Sequence, residues 1–335
     1  MARNSIQVYK PYLKKAFDIT ESVEKFVWKG NKNSPSRSLT VNLVDDDGEN
    51  RKRLTITVED GDECLFISDG ELEFRGLIMS DAASSNKRRG FTSYDNAIYL
   101  ANNKDTFFYS KVTATEVFVD VCKRFGIPMG TVEECSYIIP ELIKNRSTCY
   151  DTIADALSLE YKSTGIRHSI YSDGGKMHLI TRRNHLMPCI LEPSSNIISY
   201  TYTQSIEKIK TQIKMLSKEG KINAVSRDTD LESKIGLFRD IIQPDGNMNQ
   251  AQIVELCEST LREKSKPSRT MTMEILGNTK IKTGIGLIVI IPHLSLARPF
   301  YVDEDVHTFV GNSHKTTLKL NYAWDIPDSV LEGLI

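Results

Sequence analysis

V-E-D-G-D-E-C-L-F-I-S-D-G-E-L-E-F-R-G-L-I-M-S, Val58 to Ser80, is the stretch whose reading decides the fold. Gly61-Asp62 turns the chain into the apolar run Cys64–Ile67. Asp69-Gly70 then supplies a tight turn, and Leu72–Ile78 returns. Asp-Gly between two apolar runs is the strongest short-range hairpin signal, because glycine takes positive φ without a Cβ clash. Gly76 inside the returning run predicts a bulge or a sharp bend, as at the corner of a small barrel. After a polar, basic loop the chain continues F-T-S-Y-D-N-A-I-Y-L-A-N, Phe91 to Asn102.

Outward from this hairpin, Leu39–Leu43 and Leu54–Val58 alternate apolar and polar residues with period two. Each therefore has one buried and one wet face. Residues 1–109 read as a first β-barrel-like domain. The acidic loop Asp45–Asn50 invites a calcium reading, but Gly48 comes too early for an EF-hand and the twelfth position is not acidic, so a solvated turn is expected.

Residues 110–194 change character and read as a small α+β domain. Thr113-Ala-Thr-Glu116 is a capping box, after which Val117, Phe118, Val121, Cys122 and Phe125 share one helical face until Gly126. A second helix is predicted from Ser147 or Thr148 to Gly165, with Ile153, Ala156, Leu157 and Tyr161 facing inward. A hairpin follows, Ile166–Tyr171 and Lys176–Thr181 around Ser172-Asp173-Gly174-Gly175. Residues 195–335 return to short strands with one helix, placing Ile253, Leu256, Cys257 and Leu261 on its inner face, and read as a second β-barrel-like domain. The predicted class is α+β and β-rich: two small barrels with an α+β domain between them. The similar layout of the first and last thirds is consistent with a distant duplication.

Composition excludes several classes. The 335 residues carry 43 basic and 44 acidic side chains, a net charge of −1 that exerts no global pull toward nucleic acid or an anionic membrane. The longest apolar run, Ile285–Pro292, is far short of the ~20 residues a membrane helix needs. The first residues lack the apolar core of a signal peptide, so a cytoplasm-like compartment is expected until something else releases the protein. The six cysteines form no C-x-x-C pair and are expected to be reduced, with Cys64, Cys122 and Cys257 in apolar patterns.

Motifs of chemistry are weak. There is no H-E-x-x-H and no G-x-S-x-G. His168 and His178 flank one hairpin turn and could face each other, with His185 as the nearest third ligand, but surface histidines are the commoner outcome. His307 could act as a base in a cleft, though a hydrogen-bonded core histidine is the simpler reading. Gly284-Ile-Gly286 lacks the third glycine of a dinucleotide fingerprint and leads into a strand. Lys87-Arg88-Arg89 has no interleaved aromatics and reads as a solvated loop. Trp28 and Trp324 read as packing residues rather than a sugar platform.

The order of several short segments resembles the baseplate hub family of contractile phage tails and phage-tail-like particles, of the XkdQ/YqbQ type, relatives of the late control gene D proteins and the T-even phage hub. The residues that carry it are Gly61-Asp62 and Glu73–Gly76, then Tyr94–Leu100 with Asp95, Thr113–Glu116, and Cys122–Ile127 with Gly126. Further on come Thr164-Gly165, Gly175–Leu179, Ser205–Glu207, Lys234–Gly236, Gly277, Gly284, Phe300–Val302 and His307. The resemblance implies a structural protein with no catalytic, metal or cofactor site. It implies a homotrimer whose paired barrels meet a hexameric tail tube protein, seat a trimeric spike protein and touch other baseplate proteins, without nucleic-acid recognition or membrane insertion. Assembly is then expected in the bacterial cytoplasm, on a phage tail or a released particle. A tail-associated peptidoglycan hydrolase and a carbohydrate- or ligand-binding β module remain open.

Overall fold

The computed structural model describes residues 4–44, 57–83, 88–193, 195–217, 220–244, 248–323 and 325. In chain order the first third holds β1 (Asn4–Lys10), β2 (Lys15–Asp18), β3 (Val23–Asn31), β4 (Ser38–Val44), β5 (Glu63–Ser68), β6 (Glu71–Ala83) and β7 (Arg88–Asp95). Then come α1 (Ile98–Asn102), β8 (Lys104–Val112), α2 (Ala114–Arg124), β9 (Met129–Val132), β10 (Ile139–Thr148), α3 (Cys149–Thr164), β11 (His168–Asp173), β12 (Lys176–Thr181) and β13 (Leu186–Leu191). The last part holds β14 (Ile197–Ser205), β15 (Gln212–Leu216), β16 (Ile222–Arg227), α4 (Thr229–Ile235), β17 (Arg239–Ile242), α5 (Gln250–Lys264), β18 (Ser268–Leu276), β19 (Gly286–Ile291), β20 (Leu296–Val310) and β21 (Ser313–Tyr322).

The chain forms two compact units, Met1–Tyr200 with Thr272–Ile335, and Thr201–Met271. In the first, the deciding hairpin is present as expected. β5 and β6 are joined by Asp69 and Gly70, at φ +51° and +85°. Two successive positive φ values match the right-handed twist of the flanking strands. Gly76, however, is not a bulge. The β6–β7 register shifts between Ile78 and Ser80 instead. Gly76 is small for another reason: a Cβ there would lie 2.5 Å from the Phe74 ring and 2.6 Å from the Tyr94 carbonyl.

One long sheet runs β14-β18-β21-β20-β3-β4-β7-β6-β5-β1-β2, with β13 and β19 branching from β20. Among the described residues this order does not close on itself, so the two expected barrels are not seen as closed barrels. What joins the amino- and carboxy-terminal strands is β20, antiparallel to β3 with Val306 opposite Lys29 and Phe309 opposite Phe26. The core follows the pairing. Phe309 stacks on Phe26 at 4.2 Å and packs edge-on to Phe66 at 5.2 Å, beside the fully buried Trp28. Trp28 thus packs as expected; Trp324, like Asp45–Asn50 and Lys87, lies outside the described residues.

The α+β segment has its own core. Thr113 and Glu116 form both halves of the capping box, and Val117, Phe118, Val121 and Cys122 are buried. α3 is capped by Thr148 and stops at Gly165, at φ +71°. Ile153 and Ala156 face Phe107, Ile139, Met177 and Leu179 of the neighbouring strands.

The second unit is a three-stranded sheet, β16-β15-β17, covered by α5. Ile213 and Met215 pack against Ile253, Cys257 and Leu261. The expectation of one helix in this region is corrected. The polar segment before α5 also holds α4, capped by Asp228, and the short strand β17. Polarity hid both, because neither α4 nor β17 has a fully buried residue. Among the described residues no helix is long and apolar enough to cross a membrane.

Candidate functional site: a buried charge network where the two ends of the chain meet

β20 carries three consecutive acids, Asp303-Glu304-Asp305, in the middle of a strand. Charges there are tolerated only if each is matched. Lys32 pairs with Asp303 at 2.5 Å and Lys319 with Glu304 at 2.6 Å. Asp305 is fully buried, and Arg37 forks onto it, Nη1 to Oδ1 at 2.9 Å and Nη2 to Oδ2 closer still. Such planar two-point pairing is the geometry guanidinium is suited to.

The surroundings complete the match. The Thr283 amide and hydroxyl donate to Asp305 Oδ1 at 2.6 and 2.7 Å. His307 Nε2 lies 3.2 Å from Oδ2 and 3.0 Å from the Ile281 carbonyl. Burial raises the Asp305 carboxyl, but Arg37's charge and the hydrogen bonds of His307 and Arg37 outweigh it and hold the group well below the usual carboxylate range. The Arg37 guanidinium also sits 4.3 Å above the Trp28 ring. Gly30 makes the approach feasible, since a Cβ there would fall 2.3 Å from Arg37 Nη1.

A second layer reaches the surface. Lys282 extends from the same loop as Thr283 and donates to Glu73 at 2.9 Å and Asp173 at 2.7 Å. It borders a cleft of about 230 Å³ lined by Glu71, Glu73, Tyr171, Asp173, Lys280 and Ile285. Two carboxylates of the cleft are thus held by one lysine, while Lys280 pairs with Glu71. The arrangement is that of a clasp: it ties β6, the β11–β12 hairpin and the loop before β19 to the β3–β20 seam.

The residues singled out from the sequence are distributed around this clasp rather than gathered in it. His307 is the buried histidine of the network, with Thr316 at 3.0 Å and His314 at 3.1 Å from its Nδ1. Gly277 underlies His314: a Cβ would lie 2.0 Å from the His314 ring. Gly284 takes φ +101° and donates its amide to Val302, closing the loop that carries Lys282 and Thr283. Asp95 accepts from the amides of Arg37 and Ala97, and its burial raises it to about 7. Asp62 pairs with Lys10 at 2.8 Å, beside the turn at Gly61. Gly126 and Gly165 end α2 and α3, away from the seam. Arg37, Thr283 and Lys282 were not anticipated; their only signal is polarity beside Ser38 and Gly284, which turns commonly show.

His168 and His178 do not face each other. In the β11–β12 register His168 opposes Thr181 and His178 opposes Tyr171, on whose ring it stacks. His185 instead meets Glu133 at 2.5 Å. The residues that could hold a metal are a different set: Cys135, Glu160 and His168 bring one donor atom each within 4.8 Å of one another. Glu160 continues the inward stripe Cys149, Thr152, Ile153, Ala156 of α3, which is the sequence signal that could have found it.

This fold is that of tail proteins. It matches the 43 kDa tail protein of prophage MuSo2 from Shewanella oneidensis at a TM-score of 0.73, covering 95% of this chain and 98% of that one at 14% identity. It also matches the c3393 protein of E. coli, described as a type VI secretion system component similar to the T4 bacteriophage tail proteins gp27 and gp5, at 0.54, 9% identity, and 91% and 75% coverage. At such identities the likeness is one of fold. In sequence the chain is 28% identical to the uncharacterized protein YqbQ of Bacillus subtilis over 93% of its own length and 95% of YqbQ. It is 26% identical to the phage-like element PBSX protein XkdQ of the same species, over 90% and 93%. The YqbQ-like family model covers residues 26–321, and the chain belongs to that family.

Proposed function

We propose that this protein is a structural baseplate hub of a contractile phage tail or phage-tail-like particle, a homotrimeric adaptor between a hexameric tail tube and a trimeric spike. The observation that carries the reading is the β3–β20 seam, which makes strands from both ends of the chain one sheet under a shared core. A ring-forming adaptor that transmits load from tube to spike needs such a stiff body. Surface suited to assembly is present as well: Phe108 and Ile143 stand opposite each other on β8 and β10 and are 64% and 57% exposed. Catalysis is not part of the proposal, since the acids lining the cleft are engaged by Lys280 and Lys282. Assembly takes place in the bacterial cytoplasm in this reading.

The test is the solution mass of the full chain by light scattering, alone and with the tail tube and spike proteins of the same particle. A trimer, or a monomer that trimerises only with those partners, supports the hub. A monomer indifferent to both overturns it.

A further inference from the structure

Beside the α+β core, three elements converge on one buried spot. The loop after β9 brings Cys135, buried and outside any disulfide. The last turn of α3 brings Glu160, with no exposed surface. The start of β11 brings His168. One donor atom of each lies within 4.8 Å of the other two.

Two further features set this cluster apart from a chance meeting. The Glu160 carboxylate is oriented by the amides of Ser136 and Tyr137, at 3.2 and 2.8 Å, and by the hydroxyls of Ser136 and Thr164, each at 3.4 Å. Among the described residues the hydrogen-bond donors placed on this buried carboxyl are all neutral amides and hydroxyls. Second, His168 Nδ1 is buried and has no hydrogen-bond partner among the described residues. An orphaned buried nitrogen next to a held carboxylate and a thiol is costly unless something joins them.

We propose that Cys135, Glu160 and His168 bind a divalent transition metal, zinc by the softness of the set, with water in the fourth position. Thiolate, imidazole and carboxylate are the ligand types zinc takes, at about 2.0–2.3 Å, and a triangle of this size is within side-chain adjustment of that. The thiol proton is released to solvent as the Cys135–metal bond forms. The ion ties the loop after β9, the end of α3 and β11 together. Those elements support Asp173, which closes the clasp from the hairpin side. The sequence hid the site because its ligands are widely spaced and one of them lies in a loop.

The test titrates the reduced full-length protein with cobalt(II) alone and follows the thiolate-to-cobalt charge-transfer absorption, then displaces it with zinc. The expected result is one equivalent of cobalt per chain. In Cys135→Ser the absorption is lost, and in His168→Gln binding weakens by about tenfold or more, at least the scale of losing a group that merely orients a ligand. His185→Gln and Cys257→Ser retain wild-type binding. Circular dichroism separates loss of the ion from loss of the fold, and His168→Gln decides the matter if Cys135→Ser does not fold. No charge-transfer band in the wild type, a band that survives Cys135→Ser, or unweakened binding in His168→Gln overturns the site. Loss in His185→Gln overturns the three-ligand set.

Discussion

Arg37 and Asp305 stand 268 positions apart in the chain and meet as a two-point ion pair with almost no exposure, one just before β4 and the other in the middle of β20. The contact exists only because the two ends of the chain are together. A buried pair of this kind is a poor source of net stability, but an expensive one to break.

Asp305→Asn is therefore expected to destabilise the protein by about 3–5 kcal/mol, because Arg37 is left buried beside a neutral group. The paired replacement Arg37→Met with Asp305→Leu is expected to cost clearly less than the sum of the single changes. Denaturant unfolding of the four proteins of this cycle measures the coupling.

The His307–His314 contact predicts a pH effect. Burial first, and the neighbouring His307 second, lower His314 from 6.5 to about 4. The unfolded chain thus takes up a proton near pH 6.5 that the folded chain refuses until about pH 4. This contribution to stability is complete above 6.5 and is lost as pH falls toward 4. Asp95, raised to about 7, works in the opposite sense: its contribution is complete below about 3.8 and is lost as pH rises to 7. The readout is accordingly a difference. Between pH 7 and 5, wild type is expected to lose more of its unfolding midpoint than His314→Gln does.

Gly277 and Gly76 are expected to resist even alanine. In each case the added methyl meets an atom of its neighbour at 2.6 Å or less: the His314 ring for Gly277, the Phe74 ring and Tyr94 carbonyl for Gly76. Each replacement is expected to cost about 1–3 kcal/mol by overpacking. Gly76→Val, which adds β-branching against a carbonyl, is expected to prevent particle assembly. Thermal melts and electron microscopy of particles check the two effects.

Thr113→Ala tests the α+β segment separately. It removes the side-chain half of the capping box at the start of α2. A loss of about 1 kcal/mol is expected, and Thr113→Ser is expected to restore it.

Local chemistry was legible in the sequence wherever it depends on neighbours along the chain. The Asp69-Gly70 hairpin, the Thr113–Glu116 cap, the Gly165 stop and the burial of Cys64, Cys122 and Cys257 all follow from short-range pattern, and the structure has each of them. The full length of β20 is not evident from period alone, because Asp303-Glu304-Asp305 interrupts its apolar pattern. The lysines and arginine that neutralise those acids come from β21 and the loop between β3 and β4, so nothing local announces them.

Residue order alone made legible a β-rich chain with an inserted pair of helices, no apolar run long enough to be a membrane helix, and the resemblance to the YqbQ-like family. Hydrophobic period, turn residues and caps act over a few positions and can be read in order. The folded chain alone reveals that β3 pairs with β20, that Arg37 finds Asp305, and that Cys135, Glu160 and His168 share one spot. Those outcomes rest on a buried charge being affordable only beside its partner, and the partner's position is set by the folded backbone rather than by distance along the chain.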